Sequence, residues 1–281
     1  MTIDETPTRA LGQTGARVLA VSLGGEGILR TMGRARDAVP VIIEALRLGV
    51  RYCDTAPAYA QSQDYYGAAF REAGPRARAG IFLASKTHER SRDGALRLLD
   101  DSLRRLNTTW IDLWQMHDLR GRAELDAIFS KTGAIAAALE AKADGRVRHI
   151  GLTGHHDPRI LLEAMARFSF DSVLCAINPA DSRHSPFVPT VVAEARRQGM
   201  GVVGMKALAA GRLLDVAQPE ELLRYTATIA DTVIVGCSSV TEVRRNLAVA
   251  AAFEPMSEMQ KRALERRVAP NARSYDYFKA G

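Results

Sequence analysis

The stretch "RYCDTAPAYA", residues 51–60, begins as a short apolar run and ends in a carboxylate, Asp54. A loop of small residues and proline follows, carrying Tyr59. If the run is a strand of a closed parallel barrel, both groups stand at its C-terminal end, where that architecture collects its reactive side chains. The fold therefore turns on whether the same strand, loop and helix unit recurs along the chain.

It does recur. Strand-like runs read "AVSLGG", "VRYCDTA", "IFLASKT", "IDLWQMHD", "VRHIGLTG", "SVLCAINP", "GVVGMKAL" and "TVIVGCSS". Between them, segments such as "VPVIIEALRLG", "GALRLLDDSLRRLN", "VPTVVAEARRQG" and "VTEVRRNLAVAAAF" place apolar residues at helical spacing, and several end in Gly or Asn as helix stops do. Eight such units in succession, with nearly continuous apolar strands, predict a (β/α)8 TIM barrel rather than an open doubly wound sheet. Before them, "TRALGQTGARVLA" predicts an N-terminal β-hairpin turning between Gly12 and Gly15. After them, "SEMQKRALERRV" predicts an extra C-terminal helix, with Ser257 and Gln260 at capping-box spacing. No linker or repeat interrupts the pattern, so residues 1–281 are expected to form one domain.

Composition limits the class further. The chain is 47% hydrophobic and 25% charged, enough for a large core. The opening "MTIDETPTRA" lacks the apolar core of a secretory signal, and no long uninterrupted apolar run occurs, so a cytoplasmic protein that contacts no membrane is expected. The formal charge of +6 comes from Arg residues interleaved with acids such as Glu124, Asp126 and Glu140, the pattern of a solvated mixed surface rather than a nucleic-acid face. Cys53, Cys175 and Cys237 are widely spaced in strand-like runs and read as buried thiols. His155 and His156 are adjacent, and neighbouring side chains on a strand point apart, so no metal site is expected there.

In such a barrel the second strand delivers Asp54, its loop Tyr59, the third strand Lys86 and the fourth His117. Together these describe a proton donor with tuning groups. A tyrosine is a poor acid near neutral pH, but an ammonium nearby favours the phenolate. Lys86 is expected to supply that charge and so lower the Tyr59 pKa, Asp54 to hold Lys86, and His117 to orient a carbonyl oxygen. The set lacks an electron source, so carbonyl reduction requires a hydride from a bound cofactor.

With "LGQTGARV", "GVRYCDTAPAY", "LASKT", "LWQMHDL", "RHIGLTGHHDP", "GMKALAAGRLL" and "VIVGCSSVTEVRRN" in order, the chain resembles the aldo-keto reductases along nearly its whole length. The pattern "GLTGHHDP" with "AINPAD" is closer to a bacterial branch of that family than to its well-known sugar and steroid reductases. The resemblance implies Tyr59 as general acid, Lys86 and Asp54 as its tuning pair, and His117 as the group that positions substrate. It also implies NAD(P)H, lying across the strand ends from Gly25 and Asp54 to the last helix. Met205 stands where the family usually stacks a tyrosine under the nicotinamide, and Lys206 and Leu208 follow it. Thr153 takes the place of a common serine, with Asn178 supplying part of the carboxamide contact. Gly236, Ser238 and Asn246 fall in the segment that grips the adenosine phosphate. There Glu242 replaces a common Arg or Gln; a carboxylate suits a 2′-hydroxyl, whereas Arg244 and Arg245 are expected to compensate for a 2′-phosphate.

These readings predict an oxidoreductase that reversibly reduces an aldehyde or ketone to an alcohol, with NAD or NADP as cofactor and oligomerisation possible. Specificity is expected to lie in the loop "DLRGRAELDAIFSKT", with an open pocket suited to bulky substrates. The "RSYDYFKAG" tail is expected to cover the site, to form an interface or to be disordered. The alternative is a cofactor-binding sensor with negligible turnover, since fold alone does not establish activity. A Schiff-base isomerase or aldolase using Lys86 would leave the segment at Gly236 to Asn246 without a purpose.

Overall fold

The computed structural model describes residues 6–279; the first five residues of the opening segment, and Ala280 and Gly281 of the tail, lie outside it. An antiparallel hairpin pairs β1 (Thr8–Ala10) with β2 (Arg17–Leu19). Its turn packs under the barrel so closely that a Cβ on Gly12 would fall 2.2 Å from the backbone nitrogen of Gly201. Gly12 also has φ +50°, so only glycine suits both demands.

Eight parallel strands then close into a barrel: β3 (Val21–Gly27), β4 (Tyr52–Asp54), β5 (Phe82–Thr87), β6 (Ile111–Met116), β7 (Val147–Gly154), β8 (Ser172–Ala176), β9 (Gly201–Met205) and β10 (Thr232–Cys237). Each pairs with its sequence neighbour, and β10 pairs back onto β3, as a right-handed βα succession requires. The interior is filled by Leu11 and Val18 from the hairpin with Tyr52, Leu113, Leu174 and Val203 from the strands. Tyr52 stacks on Phe82 with ring centroids 5.8 Å apart. This plug closes the N-terminal end and leaves the C-terminal strand ends to form the site.

The outer layer comprises α1 (Ala35–Arg47), α2 (Ser62–Ala73), α3 (Pro75–Ala79), α4 (Arg92–Arg105), α5 (Arg122–Phe129), α6 (Ala134–Ala143), α7 (Pro158–Arg167), α8 (Ala193–Arg197), α9 (Pro219–Ile229), α10 (Val240–Ala251), α11 (Glu258–Val268) and α12 (Ala272–Tyr275). Each longer helix lays an apolar stripe on the sheet; in α1, Ala38, Val41, Ile42 and Ala45 are buried. Every such Val, Leu or Ile contributes about 1.5–3 kcal/mol when fully buried. Ser91, Asp157 and Ser239 cap α4, α7 and α10 through their side chains. The extra C-terminal helix is α11, with the capping box of Ser257 and Gln260 complete.

Two elements depart from the sequence expectation. Only Tyr52–Asp54 of the second run is strand, because the chain turns at once into the Tyr59 loop. The expected specificity loop is largely helical: α5 forms because Leu125 and Ile128 share a buried face. The three cysteines are free and buried. Among the described residues no helix is long and apolar enough to cross a membrane, and no three His, Cys, Asp or Glu side chains cluster to hold a metal.

Candidate active site

A cavity of about 870 Å³ opens at the C-terminal strand ends, and Asp54, Tyr59, Lys86 and His117 all line it. Tyr59 sits in a tight turn closed by its own N–H donating to the Ala56 carbonyl at 3.0 Å and by the Ser62 N–H donating to its carbonyl at 2.9 Å. The Lys86 ammonium lies 4.7 Å from the centre of the Tyr59 ring. The His117 ring stands edge-on to it, 5.7 Å away and inclined at 81°. On another side, the guanidinium of Arg30 lies 5.2 Å from the ring centre.

Lys86 Nζ donates to Asp54 Oδ2 at 2.5 Å and to the Thr55 carbonyl at 2.9 Å, and both side chains of the pair are fully buried. Asp54 Oδ1 also accepts from Gln115 at 3.4 Å. Burial pulls the lysine below its ordinary value, against the attraction of Asp54. The expected lowering of Tyr59 is not what the site produces. Burial, then Asp54 and Glu26, hold the phenol well above 10, and Arg30 opposes them. Burial is the main cause, and the Lys86 ammonium, bound to Asp54, does not offset it. Burial, reinforced by the Lys86 charge, pushes His117 down to about 3, so the imidazole is neutral across the physiological range.

The same cavity is lined by Gly25, Thr153, Met205, Lys206, Leu208, Gly236 and Ser238. Part of its wall is bare backbone: a Cβ on Gly236 would fall 2.6 Å from the carbonyl carbon of Glu26. Lys206, Ala209 and Ala210 hold left-handed backbone (φ +59°, +48° and +55°), strain of the kind retained at binding loops. A long trough with glycine on one side, a thioether at Met205, a cation at Lys206 and the hydroxyls of Thr153 and Ser238 fits an elongated nucleotide. Gly25 is tied to Tyr59 directly, since a Cβ there would fall 2.6 Å from Tyr59 Cδ2 and 3.0 Å from the Asp54 carbonyl oxygen. Gly25→Ala is expected to push the phenol aside and lower kcat/KM by about a hundredfold, the usual scale for a misplacement near 1 Å. Steady-state kinetics, with urea unfolding as a check on folding, measure this.

Other sequence candidates lie elsewhere. Asn178 does not line the cavity; its amide is buried, donating to the Lys206 carbonyl at 3.3 Å and accepting from the Ala180 N–H at 2.8 Å. Asn246 is buried behind it, donating to Cys237 Sγ at 3.4 Å. Glu242 folds onto the start of α10, where Oε2 accepts from the Ser238 N–H at 2.7 Å. Arg244 is paired with Glu44 at 2.7 Å and Arg245 with Glu220, both arginines half-exposed at the surface.

A polar group also lines the cavity: Glu26, Arg30, His88 and Arg90, which sequence reasoning passed over, with Asp118, Arg120 and Glu124 from the expected specificity loop, and His155. Burial would raise Asp118, but its bond to Arg120 and the nearby His155 hold its carboxyl below the usual range. Its position directly after His117 was the one signal available. His156 points away to the carbonyl of Phe278, 3.3 Å off. Among the described residues, the tail does not line the cavity. It backs its wall, with Phe278 edge-on to His155 at 5.5 Å. Lys279 locks it down by donating to Asp181 and to the His184 carbonyl, both at 2.8 Å, and by pairing with Asp276 at 3.0 Å.

Comparison with known proteins agrees with this geometry. The model of the aldo/keto reductase family matches residues 21–222. L-galactose dehydrogenase of Arabidopsis thaliana is 28% identical, covering 90% of this chain and 91% of that protein. Methylglyoxal reductase DkgB of Escherichia coli O157:H7 is 29% identical over 72% of this chain and 74% of that one. The holo form of aldo-keto reductase AKR11C1 from Bacillus halodurans superposes with a TM-score of 0.76 at 23% identity, covering 93% of this chain and 96% of that one, a likeness of fold.

Proposed function

Because this chain belongs to the aldo/keto reductase family, and is thus an NAD(P)-dependent oxidoreductase, we propose that it interconverts a small polar aldehyde or ketone with its alcohol, using Tyr59 as the proton donor. The observation that carries this reading is the convergence on one cavity of a protonated phenol, a buried ammonium 4.7 Å from its ring and an imidazole 5.7 Å away.

Bound nicotinamide nucleotide supplies the hydride in reduction and accepts it in oxidation. The chain handles the proton. His117, neutral because its pKa lies at about 3, cannot be the acid and serves instead as a hydrogen-bond donor to the carbonyl oxygen. As that oxygen gains negative charge, Tyr59 gives it the hydroxyl proton and becomes a phenolate. The Lys86 ammonium, 4.7 Å from the ring centre, favours the phenolate as it forms, in part against the charge of its partner Asp54. In the reverse direction the phenolate takes the alcohol proton. Lys86 Nζ is engaged by Asp54 and by the Thr55 carbonyl, an arrangement that counts against a free amine for Schiff-base chemistry. The relatives named for L-galactose and methylglyoxal support a small polar substrate.

We also assign NAD(H) as the preferred nucleotide. A 2′-phosphate near α10 would meet the Glu242 carboxylate, and Arg244 and Arg245 would have to leave Glu44 and Glu220 to offset it. Titration followed by nicotinamide fluorescence is expected to show NADH binding about tenfold more tightly than NADPH, the scale of one repelled charge pair near the surface. Glu242→Gln is expected to narrow the gap. Nicotinamide oxidation with a panel of aldehydes then tests the activity: binding with no turnover across the panel supports a sensor and overturns the reductase reading.

A further inference from the structure

Two cations stand beside the Tyr59 ring. The Lys86 ammonium lies 4.7 Å from the ring centre and is fully buried, held by Asp54 and the Thr55 carbonyl. The Arg30 guanidinium lies 5.2 Å from the same centre and lines the same cavity, yet its side chain is 49% exposed. Its partner is Glu26, which also lines the cavity, at 2.8 Å and 46% exposed. One cation is locked in the core; the other is in contact with water.

The backbone that carries the exposed pair is firmly placed. Ile28 and Leu29, in the 3-10 turn Ile28–Arg30, are buried. Gly27 holds φ +69°, and a Cβ there would fall 2.6 Å from the Cys237 carbonyl oxygen, so the turn packs directly on the end of β10. Beyond Arg30, the Thr31 carbonyl accepts from the Gln61 N–H at 3.2 Å and from the Tyr65 hydroxyl at 3.0 Å, which ties the turn to the segment that follows Tyr59. The side chains of Arg30 and Glu26, by contrast, meet in a solvated setting, where an ion pair is weak and readily opened. A fixed turn thus presents charges that can respond to the ring.

The charged and titratable groups that face Tyr59 are Glu26 and Arg30 from the end of β3 and its turn, Asp54 from β4, Lys86 from β5 and, after β6, His117 and Asp118. Asp54 meets Lys86, Asp118 meets Arg120 at 2.7 Å, and His117 is neutral. Burial, Asp54 and Glu26 resist ionisation of the phenol, whereas Arg30 favours it.

We propose that Arg30 is a positioning residue for the proton transfer: it steadies the Tyr59 ring and favours the phenolate, while Glu26 restrains it. The inference rests on the reading of Tyr59 as the acid. In reduction the Tyr59 O–H bond breaks and its proton passes to the carbonyl oxygen as the hydride arrives on carbon. In oxidation the phenolate takes the alcohol proton and the hydride leaves for the bound nucleotide. Removing Arg30 therefore makes the phenolate scarcer, and removing Glu26 makes it more plentiful.

The experiment follows alcohol oxidation with NAD from about pH 7 to pH 10, using the alcohol of the aldehyde that the panel shows to be reduced fastest. Over that range the phenolate is the minor form, so kcat/KM rises with pH and a change in phenolate supply moves the whole profile. Arg30→Gln is expected to lower kcat/KM about threefold at each pH and Glu26→Gln to raise it about threefold, the scale of one partly screened charge near the ring. Arg30→Lys keeps the charge and is expected to recover most of the loss. In a Tyr59→Phe background neither substitution is expected to change the residual rate. NADH titration shows that each variant is folded. If the pair were only structural, losing either partner would loosen the same turn and both variants would fall together. That result, profiles that coincide with the wild type, or changes that persist in Tyr59→Phe overturn the inference and leave the reductase reading standing. A Tyr59→Phe variant that turns over at the wild-type rate removes Tyr59 as the acid and this inference with it. Absence of turnover with every aldehyde removes the reductase reading itself.

Discussion

Tyr59→Phe is expected to lower kcat by about a hundred- to ten-thousandfold, the range of general acid catalysis, while NADH still binds. The substitution is narrow. Phenylalanine keeps the ring against Gly25, the edge contact with His117 and the positions of Arg30 and Lys86 around it. Only the hydroxyl is lost. No neighbour can take over the proton: His117 is neutral, and Lys86 is committed to Asp54 and to the Thr55 carbonyl. Single-turnover oxidation of bound NADH separates the chemical step from product release. If the step is as fast in the variant as in the parent chain, Tyr59 is not the acid.

Lys86→Met carries the second large effect, and it falls on stability as well as activity. The change strands the Asp54 carboxylate, fully buried, with only Gln115 at 3.4 Å to hold it. Breaking a buried pair in this way costs about 3–5 kcal/mol. Urea unfolding is expected to show that loss, together with near-complete loss of turnover. Burial already holds the Asp54 carboxyl above its unfolded value, with Lys86 opposing it, and without that cation it rises further. The loss is therefore greatest at neutral pH and shrinks as the pH falls and the carboxyl takes up a proton. Adding Asp54→Leu to Lys86→Met removes the stranded charge and is expected to restore much of the stability but none of the activity. A double variant as unstable as the single one would show that the pair stabilises through something other than charge compensation.

The barrel was legible in the sequence because strand and helix periods alternate without interruption from Val21 to Ala251, and each run is long enough to bury one face. The four groups at Tyr59 were legible for the same reason, since each follows or ends a strand. What escaped depends on partners far along the chain. Arg244 and Arg245 read as free cations beside Glu242, but their partners are Glu44 and Glu220, which no local pattern announces. Arg90 and Glu124 meet across 34 positions, so the polar wall looked like ordinary loop composition. Helix α5 was hidden because Leu125 and Ile128 alone mark its buried face. The Tyr59 acidity was misjudged because burial of the phenol, which the sequence does not announce, outweighs the lysine nearby.

The tail gives the cavity an anchor outside the barrel. His155 leans on Phe278, and Lys279 ties that segment to Asp181 and Asp276, so a wall residue from the end of β7 depends on side chains more than a hundred positions downstream. Trimming residues 276–279 or fusing a partner there is therefore expected to loosen the His155 side of the cavity before it disturbs the eight paired strands, a change that substrate KM measured beside circular dichroism would register.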